Sequence, residues 1–94
     1  MYNITDEQYQ IAEDLGVKIF PSDNPKYKID VYDWNGIYIL SCGDKGYLDY
    51  FLYKDKFGIE KAMERRELYF KRHYKNISKL GSRGYYAGKL LWNL

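Results

Sequence analysis

Hydrophobic and polar positions alternate in one run near the end of the first third of the chain, and a helical period appears further on. Between Lys26 and Asp33, Tyr27, Ile29 and Val31 fall on one face while Lys28, Asp30 and Tyr32 fall on the other. That two-residue period is the signature of a β-strand. Asn35-Gly36 follows, the dipeptide most typical of a tight hairpin turn, and Ile37 to Cys42 reads as the returning strand. Upstream, Thr5 and Gln8 have the spacing of a capping box, bracketed by Ile4 and Tyr9 at the two staple positions. These predict a short helix from Asp6 to Asp14 that Gly16 stops. Val17 to Phe20 is a brief extended piece, and Pro21 to Pro25 is turn or linker material.

Beyond the hairpin, Gly43-Asp44-Lys45-Gly46 is expected to break the strand, and the chain to continue as a loop. A long helix is predicted from about Gly58 to about Tyr74. At 100° per residue, Ile59, Ala62, Met63, Tyr69, Phe70 and Tyr74 gather on its apolar side, with Arg66 and His73 in their midst. Lys61, Arg65, Leu68, Arg72 and Lys75 lie opposite. After a polar connection, Ser82 can cap a last helix from Arg83 to Trp92. In that helix Gly84 and Gly88 stand one turn apart, which permits a close approach to a neighbour. The expected fold class is α+β: a short N-terminal helix, a β-hairpin, a long amphipathic helix and a short C-terminal helix in one small domain. Residues 1–25 form its acidic N-terminal helix and linker, and residues 26–94 its hairpin-helix-helix core.

The length of 94 residues fits one domain. Twelve Tyr, four Phe and two Trp make a core with many amphipathic edges, which suit interfaces as well as interiors. Cys42 is the only cysteine, so neither an intrachain disulfide nor a cysteine-based metal site can form within one chain. No run approaches the roughly 20 apolar residues of a membrane span, and Met1 to Asp6 lacks the basic start and apolar block expected of a secretion signal. No membrane partner is expected. Net charge is +2 but uneven: residues 1–25 carry five acidic groups against Lys18, and residues 26–94 carry fourteen basic and eight acidic groups. The basic half suits an anionic partner, although a solvated helix face explains the same residues.

Two constellations bear on chemistry. If Arg66 faces inward it needs a carboxylate, and Asp49 or Asp55 in the preceding loop is the candidate. With His73 these residues read as a structural polar clamp pinning the loop to the helix, because no nucleophile or second base accompanies them. No catalytic, cofactor-binding or metal-ligating set is identified. The second constellation is Lys61, Arg65, Lys71, Arg72, Lys75, Lys79 and Arg83, interspersed with Tyr74 and Tyr85. It suits phosphates and unpaired bases, or an acidic protein surface. Gly43 to Gly46 lacks the spacing of a phosphate-binding loop.

Gly36-Ile37-Tyr38 looks like the first half of the GIY-YIG nuclease signature. Tyr47-Leu48-Asp49 stands where the second half is expected, and the metal-binding Glu has no obvious counterpart.

From Lys26 to Trp92 the chain resembles a family of small proteins encoded by tailed phages and large DNA viruses. The residues concerned are Lys26 to Asp33, Gly46-Tyr47-Leu48-Asp49-Tyr50, Arg65-Arg66-Glu67-Leu68-Tyr69, Arg72-His73, Gly81-Ser82-Arg83-Gly84 and Leu90-Leu91-Trp92. Members often carry His before Lys-Asp in the loop, where this chain has Tyr53 before Lys54-Asp55. The family has no assigned activity, so the resemblance implies a viral origin, in the virion or the host cytoplasm. The expected function is non-enzymatic: a virion-associated accessory, minor capsid or decoration protein that binds a larger viral subunit. The alternatives are a nucleic-acid-binding or host-modulating factor using the basic helix face, and a GIY-YIG-like nuclease.

Overall fold

A computed structural model describes residues 1–94, which divide into two compact units, Met1–Gly46 and Tyr47–Leu94. The fold class is α+β, with four helices and one three-stranded antiparallel sheet. Residues 22–26 are the turn of a hairpin, and the division between the two units falls after Gly46.

In the first unit, α1 spans Asp6–Leu15. The Thr5 hydroxyl accepts from the Gln8 N–H at 3.1 Å, and Gln8 Oε1 accepts from the Thr5 N–H at 2.9 Å. This reciprocal cap satisfies two helix-end donors that would otherwise lack partners. Gln8 is itself fully buried and donates through Nε2 to the Tyr2 hydroxyl at 3.0 Å. Gly16 closes α1 in the left-handed conformation, at φ 76°.

The brief extended piece proves to be a full strand. β1 (Val17–Pro21), β2 (Tyr27–Asp33) and β3 (Tyr38–Asp44) lie in sequential order, all antiparallel. Ile19 opposes Val31, and Ile29 opposes Cys42, so one face of the sheet carries the buried aliphatic residues. Trp34, Asn35, Gly36 and Ile37 connect β2 to β3, with Gly36 at φ 87°. Asp33 Oδ1 accepts from the N–H groups of Asn35 and Ile37, both at 2.9 Å. Pairing then passes from Tyr32↔Tyr38 to Val31↔Leu40, which leaves Ile39 as the extra residue of a bulge. Gly43 and Asp44 do not break β3 as expected; the strand runs through them. Lys28 also departs from expectation: although on the alternate face, it is buried with its ammonium 5.5 Å from the Tyr2 ring centroid.

In the second unit, residues expected to form a loop are helical. α2 spans Tyr50–Phe57 and is capped by Asp49, whose Oδ1 accepts from the Leu52 N–H at 2.9 Å. Tyr50, Phe51, Leu52 and Tyr53 come consecutively, Lys54-Asp55-Lys56 follow and Phe57 ends it, so no helical period marks it. Gly58, at φ 94°, separates it from α3 (Ile59–Ile77), which continues three residues beyond the predicted end. α4 spans Arg83–Leu90, two residues shorter than expected, with Ser82 Oγ accepting from the Tyr85 N–H at 3.1 Å. No helix is long and apolar enough to cross a membrane.

α4 lies unusually close to the end of α3. A Cβ at Gly84 would stand 2.7 Å from Asn76 Cβ and 3.1 Å from its carbonyl carbon, and one at Gly88 would stand 2.9 Å from Ile77 Cγ1. Gly84→Ala should therefore lower stability by about 1–3 kcal/mol, although alanine favours a helix interior by roughly 1 kcal/mol. Urea unfolding followed by helical circular dichroism measures this.

Tyr86, on α4, has its hydroxyl pKa raised above 10.0 by burial and then by the neighbouring Tyr85. The folded state thus holds this proton more tightly than the unfolded chain. Its stabilising contribution is complete below about pH 10 and is lost as pH rises through the folded value. In Tyr86→Phe, unfolding measured between pH 8 and 11 should decline less steeply at the alkaline end.

Candidate functional site

Two surfaces hold the chemistry, one in each unit. In the first unit, the face of the sheet away from Ile29 and Val31 carries Phe20, Tyr32 and Tyr38, one from each strand. Register places them in a row, because Phe20 pairs with Asp30 and so lies diagonal to Tyr32, and Tyr32 pairs with Tyr38. Phe20 meets Tyr32 edge to face at 5.4 Å, and Tyr32 meets Tyr38 the same way at 5.5 Å. A polar chain fixes the far end of this row. The Tyr38 hydroxyl lies 2.8 Å from Ser41 Oγ, which donates to Asp30 Oδ1 at 2.5 Å.

Phe20 also belongs to a depression of about 280 Å³, lined by Tyr9, Ala12, Glu13, Val17, Lys18, Ile19, Phe20 and Trp34. α1 supplies one wall and β1 another, while Trp34 projects from the β2–β3 connection. The Lys18 ammonium stands 5.2 Å from the Trp34 ring centroid, within cation–π range. Tyr9, Phe20, Trp34 and Tyr38 are each about half exposed. Sequence reasoning did not select these residues. Their signal was present: Phe20, Tyr32 and Tyr38 are large aromatic residues at alternate positions where an ordinary sheet turns polar groups outward.

The second unit contains every residue of the expected clamp. Arg66 and His73 lie on the same side of α3 as the buried Ala62 and Ile77. Asp49 is almost fully buried at the α2 cap, whereas Asp55 is exposed. The contacts of Arg66 and His73 are with rings. The Arg66 guanidinium carbon stands 5.7 Å from the Tyr50 centroid, and His73 lies against Tyr69 at 4.4 Å. Tyr69 stacks on Trp92, also at 4.4 Å and only 10° from parallel, and Trp92 leads on to Tyr53 at 6.3 Å. Arg65 covers Tyr53 at 5.3 Å. α2, α3 and the C-terminal segment are thus joined by one aromatic ladder.

Four residues expected on the inward side of α3 are not buried there. Ile59, Met63, Phe70 and Tyr74 are each 46–56% exposed. The apolar sector of the helix is wider than the sector its neighbours cover, which is centred on Ala62, Tyr69 and His73.

The basic residues are divided. Lys61, Arg65, Arg72 and Lys75 share one side of α3 by helical spacing. Lys61 pairs with Glu64 at 3.6 Å, and Lys71 pairs with Glu67 at 3.5 Å, both pairs well exposed. Lys79 lies in the exposed turn after α3, and Arg83 opens α4. The interleaved carboxylates of Glu60, Glu64 and Glu67 dilute the positive field a phosphate backbone would need.

Within Gly43 to Gly46 only Lys45-Gly46 form a turn, after the end of β3, with Asp44 Oδ1 accepting from the Gly46 N–H at 2.8 Å. The following helix begins at Tyr50, and the Asp49 carboxylate takes the place an anion would occupy at its N-terminus. No group of three or more His, Cys, Asp or Glu side chains converges as a metal ion would require. Comparison with protein-family models, curated proteins and solved structures finds nothing that matches this chain.

The aromatic ladder gives a direct expectation. A double-mutant cycle between Tyr69→Leu and Trp92→Leu, read by chemical denaturation, should show a coupling of about 0.5–1.5 kcal/mol. Independent losses that simply add would remove the stack as an energetic link.

Proposed function

We propose that this chain is a non-enzymatic docking protein of a virus particle, a minor capsid or decoration protein that binds a larger virion subunit. The observation that carries the reading is the row of Phe20, Tyr32 and Tyr38, continued through Phe20 into the depression walled by Tyr9 and Trp34. Interface cores are enriched in aromatic residues, and Trp and Tyr supply most binding hot spots. A contiguous patch of half-exposed rings is the kind of surface that a soluble monomer rarely leaves open without use. Lys18 and Glu13 at its edge provide a polar rim. The resemblance to phage and large-DNA-virus proteins supplies the setting.

The runner-up reading uses Lys61, Arg65, Arg72, Lys75 and Lys79 to bind nucleic acid. The carboxylates interleaved along α3 argue for a protein partner instead. Affinity for DNA or RNA that falls steeply with salt would favour that runner-up.

The protein should be detected by mass spectrometry in purified particles at a fixed copy number. Trp34→Ala combined with Tyr38→Ala should reduce its occupancy there about tenfold or more, with its circular dichroism unchanged. Absence of the wild-type chain from particles would end the virion assignment.

A further inference from the structure

We propose that the depression walled by Tyr9, Phe20 and Trp34 receives a basic side chain, lysine or arginine, from the protein on which this chain docks. The proposal rests on the docking reading above and adds the chemistry of the partner.

The first argument is what already lies there. The Lys18 ammonium stands 5.2 Å from the Trp34 centroid. The indole face therefore holds an alkylammonium in this geometry, as the negative face of an aromatic quadrupole does. Lys18 is exposed and reaches the ring on a flexible four-carbon stem from β1, so a cation from outside can take its place. Tyr9 and Phe20 bring two more rings to the same depression.

Charge points the same way. Glu13 lines the depression, is exposed, and forms no ion pair. Residues 1–46 carry eight acidic groups against four basic ones. An incoming cation meets a favourable field and a carboxylate at the rim. An anionic ligand would have Lys18 alone to bind it, with Glu13 opposing. Size also fits: about 280 Å³ is just below the range of small-molecule sites, which starts near 300 Å³, and accommodates one long side chain.

The test uses the full chain and follows the Trp34 indole N–H by nuclear magnetic resonance. The probes are N-acetyl-lysine methylamide and N-acetyl-arginine methylamide, with the norleucine analogue as neutral control and N-acetyl-glutamate as anion. Both cations should shift the Trp34 signal at millimolar concentration, and norleucine should not. Lys18→Thr removes the internal competitor and should tighten cation binding about 2–5-fold, the equivalent of an exposed cation–π contact. Glu13→Gln should weaken it by a similar factor.

The proposal is overturned if the neutral probe works as well as the cations, or if neither cation shifts Trp34. It is equally overturned if glutamate binds and Lys18→Thr abolishes that binding. Reduced particle occupancy of the Trp34 variant without cation binding would leave docking intact and remove only the basic side chain. Cation binding by a protein absent from particles would uphold the receptor site and remove the virion.

Discussion

The close approach of α4 to the end of α3 is the constraint on which residues 47–94 depend. Gly84 and Gly88 present backbone where Asn76 and Ile77 arrive, and no side chain fits between. That approach delivers the C-terminal residues back to α2, where the Leu91 carbonyl accepts the Tyr50 N–H at 3.1 Å. It also sets Trp92 flat on Tyr69. Leu90 and Leu91 are buried as a consequence. Without the two glycines, α2 would lose both its backbone partner and its place in the ladder.

Residues 1–46 are organised by a different rule. Here strand register decides everything, because a shift of one residue exchanges the two faces of a sheet. The caps at Thr5 and Gly16 aim α1, and the Asp33 carboxylate fixes the β2–β3 connection through two backbone N–H groups. With register set, Ile29 and Val31 are buried and Phe20, Tyr32 and Tyr38 are brought into a row. The proposed docking surface is therefore a by-product of pairing: three rings distant in sequence become neighbours through two antiparallel ladders.

The ionic groups on the covered side of α3 lie against rings. Arg66 and His73 do lie on the covered side of the helix. A guanidinium or imidazole there needs compensation, and aromatic faces provide it, with Tyr50 beneath Arg66 and Tyr69 beside His73. Asp49 is buried and caps the start of α2. In a chain with twelve tyrosines, rings are the most abundant partners for cations. Composition carried that hint from the start.

The local elements were legible in the sequence because their causes are local. The Thr5–Gln8 box, the Asn35-Gly36 turn, the period-two run to Asp33, the Ser82 cap and the Gly84/Gly88 spacing each require only residues within a few positions of one another. α2 was not legible, since eight residues with four consecutive apolar members, three charged ones and a final Phe57 have no helical period; an Asp49 cap and tertiary packing hold it. The width of the apolar sector on α3 was visible, but which part of it would be covered was not. That depends on where α2 and α4 come to rest, so Met63 and Phe70 stay exposed while Arg66 is half-buried. The depression beside Trp34 was invisible for the same reason. Tyr9, Lys18, Phe20 and Trp34 come from a helix, a strand and a hairpin connection, and only the folded chain places their side chains around one space.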